Sequence, residues 1–366
     1  MTRFSAAAAT ALSVLIGCVP SDRASDEPFY IRNRLEVIVP YGPGGGADTW
    51  ARMVMPHLQR LLGSGASIQV INIPGASSVA GANVFALRRR PDGRTALVSS
   101  QSTFLGYMLG EPMVRYDFAD FAPILASPGG GVVFARPDVG ARTAADLGNA
   151  SARLVYGGIS AAGMDLLPIL TFELLGLDVQ SILGYSTKGA TRLAFEQGET
   201  NVEYQTMPAY LTNVVPMVER GDAIPLYSFG ILDENGEVIR DPAVPDLPSI
   251  REAYIEIHGT EPDGAIWSAY RSVLAAAVSM AKVLWLHGDA PPRAIDELRA
   301  AARAMLSDSA FVAQAKREIG DYDFLVGDPI NSQRDLAAQM APQAREWIGE
   351  FLRERFDIDR LVSPAR

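Results

Sequence analysis

The chain has 366 residues, and 32 Lys and Arg against 42 Asp and Glu give it a formal net charge of −10. This length favours two lobes over one compact core, and the acidic balance disfavours a nucleic-acid groove, because neutralising phosphates requires clustered cations. With 48% hydrophobic and 20% charged residues the chain is globular, and its single cysteine excludes an intrachain disulfide framework or a cysteine-based zinc site.

The N-terminus is typical of an exported protein. Arg3 precedes an apolar run that ends near Gly17 and is too short to span a bilayer. The only cysteine, Cys18, closes the sequence LIGC, which resembles the bacterial lipobox, in which the cysteine is lipidated. We therefore expect a lipoprotein signal peptide over 1–17, a lipid anchor at Cys18 and a polar tether over 18–34. The alternative is an ordinary signal peptide with a chance cysteine.

From residue 35 onward, strand and helix patterns alternate. Strands are predicted at 35–41, 67–73 and 94–100, with helices from the glycines near 46 to Leu62 and around 79–89. This strand–helix–strand order predicts a parallel, doubly wound sheet.

A second set of α/β elements is predicted after residue 130. Strands are expected at 131–137, 153–158, 179–185 and 200–206, with helices at 143–149, 163–175 and 190–197. The segment 223–231 looks like a strand returning to the first lobe. The C-terminal third is predicted to be mostly helical, at 265–286, 291–306, 308–318 and 332–355.

The loop PYGPGGGAD (40–48) is the first candidate for chemistry. Glycines between a strand and a helix leave backbone N–H groups pointing outward at a helix N-terminus, which together suit an anion. Asp48 is placed to cap the helix. The loop also fits a plain tight turn. A dinucleotide site, with Gly42, Gly44 and Ala47 as the fingerprint, is disfavoured because no acidic residue ends the next strand.

Enzyme signatures fit this chain poorly. No Gly-Lys-Ser/Thr follows the glycines, and the sequence around Ser160 is GISAA instead of a nucleophile elbow. Three widely separated histidines offer no metal-ligand spacing. We expect no catalytic residues, no cofactor and no metal.

Several ordered motifs resemble the extracytoplasmic solute receptors of tripartite tricarboxylate transporters, the Bug-type receptors. The family pattern P-[FY]-x-x-G-G-x-x-D-x-x-A-R falls on residues 40–52, N-x-P-G-A on 72–76 and P-D-G on 91–93. Further segments match in order: YDFADFAPI (116–124), YGGISAAG (156–163), GYSTKG (184–189), GETNVEYQTMP (198–208) and VPDLPSIREAY (244–254).

The resemblance implies a type II periplasmic-binding-protein fold, with two doubly wound α/β lobes joined by crossover strands around a cleft. Lobe 1 would comprise 35–127 and 229–366, and lobe 2 would comprise 128–228. It also implies a periplasmic receptor that binds a small organic carboxylate and delivers it to a permease of large and small membrane subunits. The runner-up is a receptor-derived signalling or scaffold module with a degenerate cleft that contacts a partner protein.

The resemblance places the ligand between loops 41–48, 75–78, 157–163 and 185–189, which follow strand ends. The candidate ligand-binding residues are Tyr41, Gly42, Gly44, Gly45, Ala47, Asp48, Ala76, Ser77, Ser100, Gly158, Ser160, Gly163, Tyr185, Lys188 and Gln205.

The chain departs from the family pattern in the second lobe. Gly158, Ser160 and Ala162 stand where the family has Ser, Gly and Gly, and Gln205 stands where Asp is frequent. Asp165 follows this loop. If Asp165 faces the cleft, it would disfavour a polyanionic ligand and favour a cationic group on the ligand. If it faces solvent, which we favour, it is only part of the first turn of a helix.

Two segments have no good family counterpart. Residues 231–238 carry an Asn-Gly that predicts a hairpin, and an extra helix is expected at about 265–281. This helix either packs on lobe 1, which is favoured, or forms a docking surface.

Overall fold

The computed structural model describes residues 27–233 and 235–358, so the predicted signal peptide and Cys18 lie outside the described residues. The strands, in chain order, are β1 (Leu35–Val39), β2 (Ile68–Asn72), β3 (Thr95–Ser100), β4 (Phe121–Ser127), β5 (Gly131–Ala135), β6 (Leu154–Gly157), β7 (Val179–Ile182), β8 (Val202–Thr206), β9 (Ile224–Ser228), β10 (Ile231–Leu232), β11 (Val238–Ile239), β12 (Lys282–His287) and β13 (Leu325–Val326).

The helices alternate with these strands and dominate the C-terminal third. They are α1 (Phe29–Arg32), α2 (Gly46–Leu62), α3 (Val79–Arg88), α4 (Gln101–Met108), α5 (Leu166–Leu174), α6 (Lys188–Gln197), α7 (Met207–Ala209), α8 (Val215–Arg220), α9 (Ile250–His258), α10 (Gly264–Ser279), α11 (Pro292–Leu306), α12 (Ser309–Glu318), α13 (Pro329–Ala338) and α14 (Pro342–Phe356). Short 3₁₀ turns and one π turn, Tyr210–Val214, complete the described elements.

The first sheet has the order β13-β4-β12-β3-β1-β2. β1 pairs in parallel with β2 and β3, as the strand–helix–strand order predicts. Along β1, Ile38 joins one apolar cluster, whereas Val37 and Val39 join another, so helices cover both faces of the sheet. This is the doubly wound arrangement, and it brings the carboxyl ends of β1, β2 and β3 to one edge.

The second sheet has the order β7-β6-β8-β5-β9. β6 is parallel to β7 and β8, whereas β5 is antiparallel to β8 and β9. Only three residues, 128–130, separate β4 of the first sheet from β5 of the second, so the chain crosses between the sheets there. β9 was predicted to return to the first lobe. β9 itself pairs with β5 in the second sheet and lies within the range 128–228 expected for lobe 2.

The prediction of one helix over 265–286 is wrong, because this segment forms two elements. α10 ends at Ser279, and the residues from Lys282 form β12, a central strand of the first sheet that runs antiparallel to β3 and β4. The run AKVLWLH is apolar enough to extend a helical pattern, but its β-branched and aromatic residues are buried between two neighbouring strands instead.

The end of the predicted tether, residues 27–34, packs against the first lobe. Tyr30 is buried and donates a hydrogen bond from its hydroxyl to the Gly93 carbonyl, and the carboxylate of Glu297 accepts from the backbone N–H groups of Phe29 and Tyr30. Two adjacent aromatic rings are costly to leave in water. The described part of this segment, 27–34, is therefore docked on the first lobe.

α10 joins the two lobes. Its buried face, which includes Trp267, Tyr270 and Leu274, packs against α4, α13 and α14 and also against α5 of the second lobe. Tyr270 donates a hydrogen bond to the Phe229 carbonyl. The apolar face of α10 is thus covered from within the chain.

The hairpin that Asn-Gly predicts is present as β10 and β11. Across the described ranges, no helix combines the length and apolar character needed to cross a membrane.

Candidate functional site

A cavity of about 380 Å³ opens where the strand ends of the two sheets meet. Its walls come from the segments that follow β1, β2 and β3 on one side and β6, β7 and β8 on the other, which is where open α/β sheets bind ligands. The lining residues are Pro40, Tyr41, Gly42, Gly45, Gly46, Ala47, Pro74, Gly75, Ala76, Ser77, Ser78, Ser100, Gln101, Ser102, Ile159, Ser160, Met164, Asp165, Tyr185, Ser186, Thr187, Lys188, Thr206 and Lys282.

The glycine loop after β1 is braced from behind by Asp48. The Asp48 carboxylate is buried and accepts from the Gly44 N–H, the Asn72 amide and the Arg52 guanidinium, at 2.9 Å each. Burial alone would raise the pKa of Asp48, but the hydrogen bonds from Arg52, Gly44 and Asn72 outweigh it and lower that pKa. Asp48 therefore shapes the loop and does not itself line the cavity.

The cavity side of this loop is rich in free donors. The N–H groups of Gly46 and Ala47 open α2 and have no acceptor among the described residues, as expected for the first turn of a helix. The positive end of the helix dipole adds to them. This wall of the cavity is suited to an anion, as the glycine pattern predicts.

The turn after β2 is strained. Ala76, Ser77 and Ser78 have φ values of 46°, 51° and 91°, in the left-handed region that favours glycine. Ser78 is 1% exposed, and its hydroxyl has no hydrogen-bond partner. A buried, unpartnered hydroxyl on a strained turn that lines the cavity is a further group available to a ligand.

Residues that follow β3 tie the two walls together. The Ser102 hydroxyl accepts from the Met164 N–H at 3.1 Å, and the Gln101 amide donates to the Tyr204 hydroxyl at 2.6 Å. The Tyr41 hydroxyl bonds to the Ser100 hydroxyl beside them. The two lobes therefore contact each other at the cavity floor.

Lys282 is a cation that the sequence analysis missed. It is 5% exposed, and its Nζ donates to the Ala281 carbonyl at 2.8 Å. Within the described part of the chain, no carboxylate lies within 4.0 Å of that nitrogen. Burial lowers the pKa of Lys282 from 10.5 to about 8, so at neutral pH the ammonium stays charged with donors to spare.

Lys188, on the opposite wall, is fully engaged. Its Nζ lies 2.6 Å from Glu203 Oε1 and 3.5 Å from Asp165 Oδ1, and it sits over the ring faces of Tyr204 and Tyr156. Burial raises the pKa of Glu203 to about 7, although Lys188 opposes that rise. Lys188 therefore neutralises the protein's own acids.

Asp165 faces the cavity and not solvent, so the solvent-facing interpretation is wrong. It is fully buried and its Oδ2 accepts from the N–H groups of Ile159 and Ser160, at 2.7 and 3.0 Å. Its Oδ1 accepts from the Tyr156 hydroxyl. These three donors hold the side chain back over the loop that precedes α5.

The structure brings ten of the predicted site residues to the cavity wall: Tyr41, Gly42, Gly45, Ala47, Ala76, Ser77, Ser100, Ser160, Tyr185 and Lys188. The other five, Gly44, Asp48, Gly158, Gly163 and Gln205, do not line it. Gln205 is fully buried and donates to the Lys188 carbonyl, and a Cβ on Gly158 would lie 2.7 Å from Leu183. Gln205 and Gly158 therefore support the wall from behind.

Comparison with solved structures identifies the architecture. Periplasmic binding protein BugD is similar with a TM-score of 0.65 and 19% identity, over 88% of this chain and 97% of that chain. Rpa4515 of R. palustris, solved with adipate, gives 0.64 and 20%, over 87% and 97%. MatC (Rpa3494) from Rhodopseudomonas palustris, with bound malate, gives 0.59 and 20%, over 87% and 98%.

These similarities confirm the predicted fold class, a mixed α/β periplasmic-binding-protein fold with two lobes and a cleft. At such identities they show the fold alone. No protein-family model and no curated protein sequence matches the chain.

Proposed function

We propose that this chain is an extracytoplasmic solute receptor of the Bug type, which binds a small organic carboxylate in the cavity between its lobes and releases it unchanged. The proposed lobes are 35–127 with 229–366, and 128–228. The observation that carries the proposal is Lys282, a buried ammonium that lines the cavity and has no carboxylate partner among the described residues. Burying such a charge is costly unless something compensates it.

The neighbouring groups support an anion at the same place. The free N–H groups at the start of α2 and the unpartnered Ser78 hydroxyl are donors on the same cavity wall as Lys282. Two similar structures hold malate and adipate, both dicarboxylates. Helix N-termini and a lysine together offer what a carboxylate needs.

Delivery to a membrane completes the proposal. The lipobox resemblance at Cys18 supports a lipid anchor in the cell envelope, and the motif resemblance supports a permease of large and small membrane subunits as the recipient of the ligand. Cys18→Ala is expected to release the protein into the soluble fraction of cells. A wild type that is itself soluble after fractionation would contradict the anchor but leave the binding proposal intact.

The binding test uses the full chain and matched probes. Hexanoate, adipate, malate and benzoate are titrated by calorimetry, with the corresponding uncharged amides as controls. The titrations give each Kd. In unfolding experiments, a carboxylate at 100 times its Kd should raise the free energy of unfolding by about 2.7 kcal/mol, and its amide should not. The carboxylate should be recovered chemically intact. Conversion to a product would indicate an enzyme, and equal binding of acids and amides would contradict a carboxylate receptor.

In the signalling or scaffold alternative, the extra helix and hairpin would contact a partner and the cleft would be degenerate. The apolar face of α10 is buried against helices of both lobes, so this helix does not offer an apolar docking face. The receptor function is therefore the better supported of the two.

A further inference from the structure

The two walls of the cavity treat a negative charge differently. Each wall has a loop whose backbone N–H groups lie beside a helix start. On the first wall those of Gly46 and Ala47 have no acceptor among the described residues. On the second wall those of Ile159 and Ser160 already donate to Asp165 Oδ2. The protein's own carboxylate thus occupies the donors at the start of α5, whereas the N–H groups of Lys188 and Gly189 at the start of α6 have no acceptor among the described residues.

Asp165 is also saturated. Besides the two N–H groups it accepts from the Tyr156 hydroxyl, and Lys188 lies 3.5 Å from its Oδ1. It therefore has no need of a cationic group on the ligand, and it leaves no donor of the loop 159–160 free for an anionic one.

The charge balance behind this wall is unfavourable to a second anion. Two buried carboxylates, Asp165 and Glu203, share the single ammonium of Lys188. When both acids are ionised the cluster carries one net negative charge, and when Glu203 is protonated the cluster is neutral. A ligand carboxylate placed here would meet like charge in a region of low dielectric.

We propose that the cavity is specific for a monocarboxylate. The carboxylate lies on the first wall, against Lys282, the start of α2 and the Ser78 hydroxyl. The uncharged remainder lies along Ile159, Met164 and Tyr185, which line the opposite side. This inference rests on the proposed function and names its substrate class.

The test compares acids of equal carbon number that differ by one carboxylate: butyrate with succinate, hexanoate with adipate, and 4-methylbenzoate with terephthalate. Calorimetry on the wild-type chain should give at least a tenfold lower Kd for the monocarboxylate of the best-bound pair. Asp165→Asn removes the charge while its amide oxygen can still accept from the loop, so it should shrink that ratio at least fivefold.

A matched control exists in the same lobe. Asp146 also accepts from two backbone N–H groups, those of Arg142 and Thr143, but it is exposed and does not line the cavity. Asp146→Asn should leave the ratio unchanged. If Asp165→Asn does not fold, Glu203→Gln removes a negative charge from the same cluster without touching the loop. It should also shrink the ratio of the two Kd values.

The outcomes separate the two proposals. A wild type that binds dicarboxylates as tightly as their matched monocarboxylates, or more tightly, overturns the monocarboxylate inference and leaves the receptor function standing. So does an unchanged ratio in both charge variants. Binding of neither series overturns the receptor function itself.

Discussion

Two buried lysines line the cavity, one from each lobe, and they have opposite surroundings. Lys188 has two carboxylates within 3.5 Å and two aromatic rings beneath it. Lys282 has one carbonyl at 2.8 Å. The second lobe therefore compensates its cation internally, whereas the first lobe leaves a cation and several N–H groups uncompensated. The difference supports the proposal that the charge of the ligand lies on the first wall.

The largest expected effect is on stability, and it has opposite signs at the two lysines. Lys188→Met leaves Asp165 and Glu203 buried without a cation and should lower the free energy of unfolding by about 3–5 kcal/mol. Lys282→Met removes a buried charge whose pKa is lowered from 10.5 to about 8, and should raise the free energy of unfolding by about 1–3 kcal/mol. Urea unfolding of the ligand-free proteins at pH 7 measures both.

The third lysine provides the control. Lys316 is exposed and paired with the exposed Asp321, so Lys316→Met should change stability by less than about 1 kcal/mol. The gain from Lys282→Met should shrink between pH 8 and 10.5, because there the unfolded wild type binds a proton that the folded form has lost. Destabilisation by Lys282→Met would mean that the ammonium is already compensated, contrary to the comparison.

The next effect is on the pH dependence of binding. A carboxylate stabilises the ammonium form of Lys282, so affinity should be constant only well below pH 8, begin to fall as the pH approaches 8, and above that fall by up to tenfold per pH unit. Among the described residues no charged group accounts for the lowered pKa of Lys282: it is flanked in register by Ser100 and Ser127, and burial is the cause. Calorimetry with hexanoate from pH 7.5 to 9.5 follows the fall.

This range of pH also separates Lys282 from the other titrating group near the cavity. The pKa of Glu203, raised to about 7 by burial, lies below the range, so that acid is mostly ionised throughout. In Lys282→Met the residual affinity should be weaker by at least tenfold and should not vary with pH. A wild-type affinity that is flat up to pH 9.5 would place the ligand away from Lys282.

The sequence predicted the loops of the cavity better than its charges. A glycine-rich turn between a strand and a helix is a local pattern, and the loop 40–48 lies where that pattern predicts. Lys282 is a long-range feature. It reaches the cavity because β12 runs antiparallel to β3, which sets Lys282 opposite Ser100 at the carboxyl end of β3. The sequence analysis merged α10 and β12 into one apolar helix, 265–286, and therefore could not predict this register.

Asp165 is a second charged residue of the cavity whose position the sequence did not predict. Its spacing after the loop 157–163 is compatible with a solvated first turn, and only the folded loop shows that its carboxylate turns back onto the N–H groups of Ile159 and Ser160. A signal was available in composition. The chain has only three lysines among 32 basic residues, and two of them line the cavity. In an arginine-rich chain, a lysine on an apolar segment is a candidate for a buried role.

The smallest expected effect tests how closely the two walls must approach. A Cβ on Gly46 of the first wall would lie 2.8 Å from the Thr206 Oγ1 of the second, whereas a Cβ on the neighbouring Gly45 would meet its nearest atom, the Gly42 carbonyl oxygen, at 3.7 Å. Gly46→Ala should therefore separate the walls and weaken hexanoate binding about three- to tenfold. Gly45→Ala should change the Kd by less than about twofold, since 3.7 Å is an ordinary contact distance.

A second substitution shows whether that loss comes from the approach of the walls. Adding Thr206→Ala to Gly46→Ala removes the oxygen that the new methyl group meets, so binding should recover to the level of Thr206→Ala alone. Unfolding by urea should show little change in any of these variants, because both positions lie at the cavity surface. Equal losses from the two glycine substitutions would indicate that the glycine loop tolerates no side chain at all, and that contact between the walls does not set affinity.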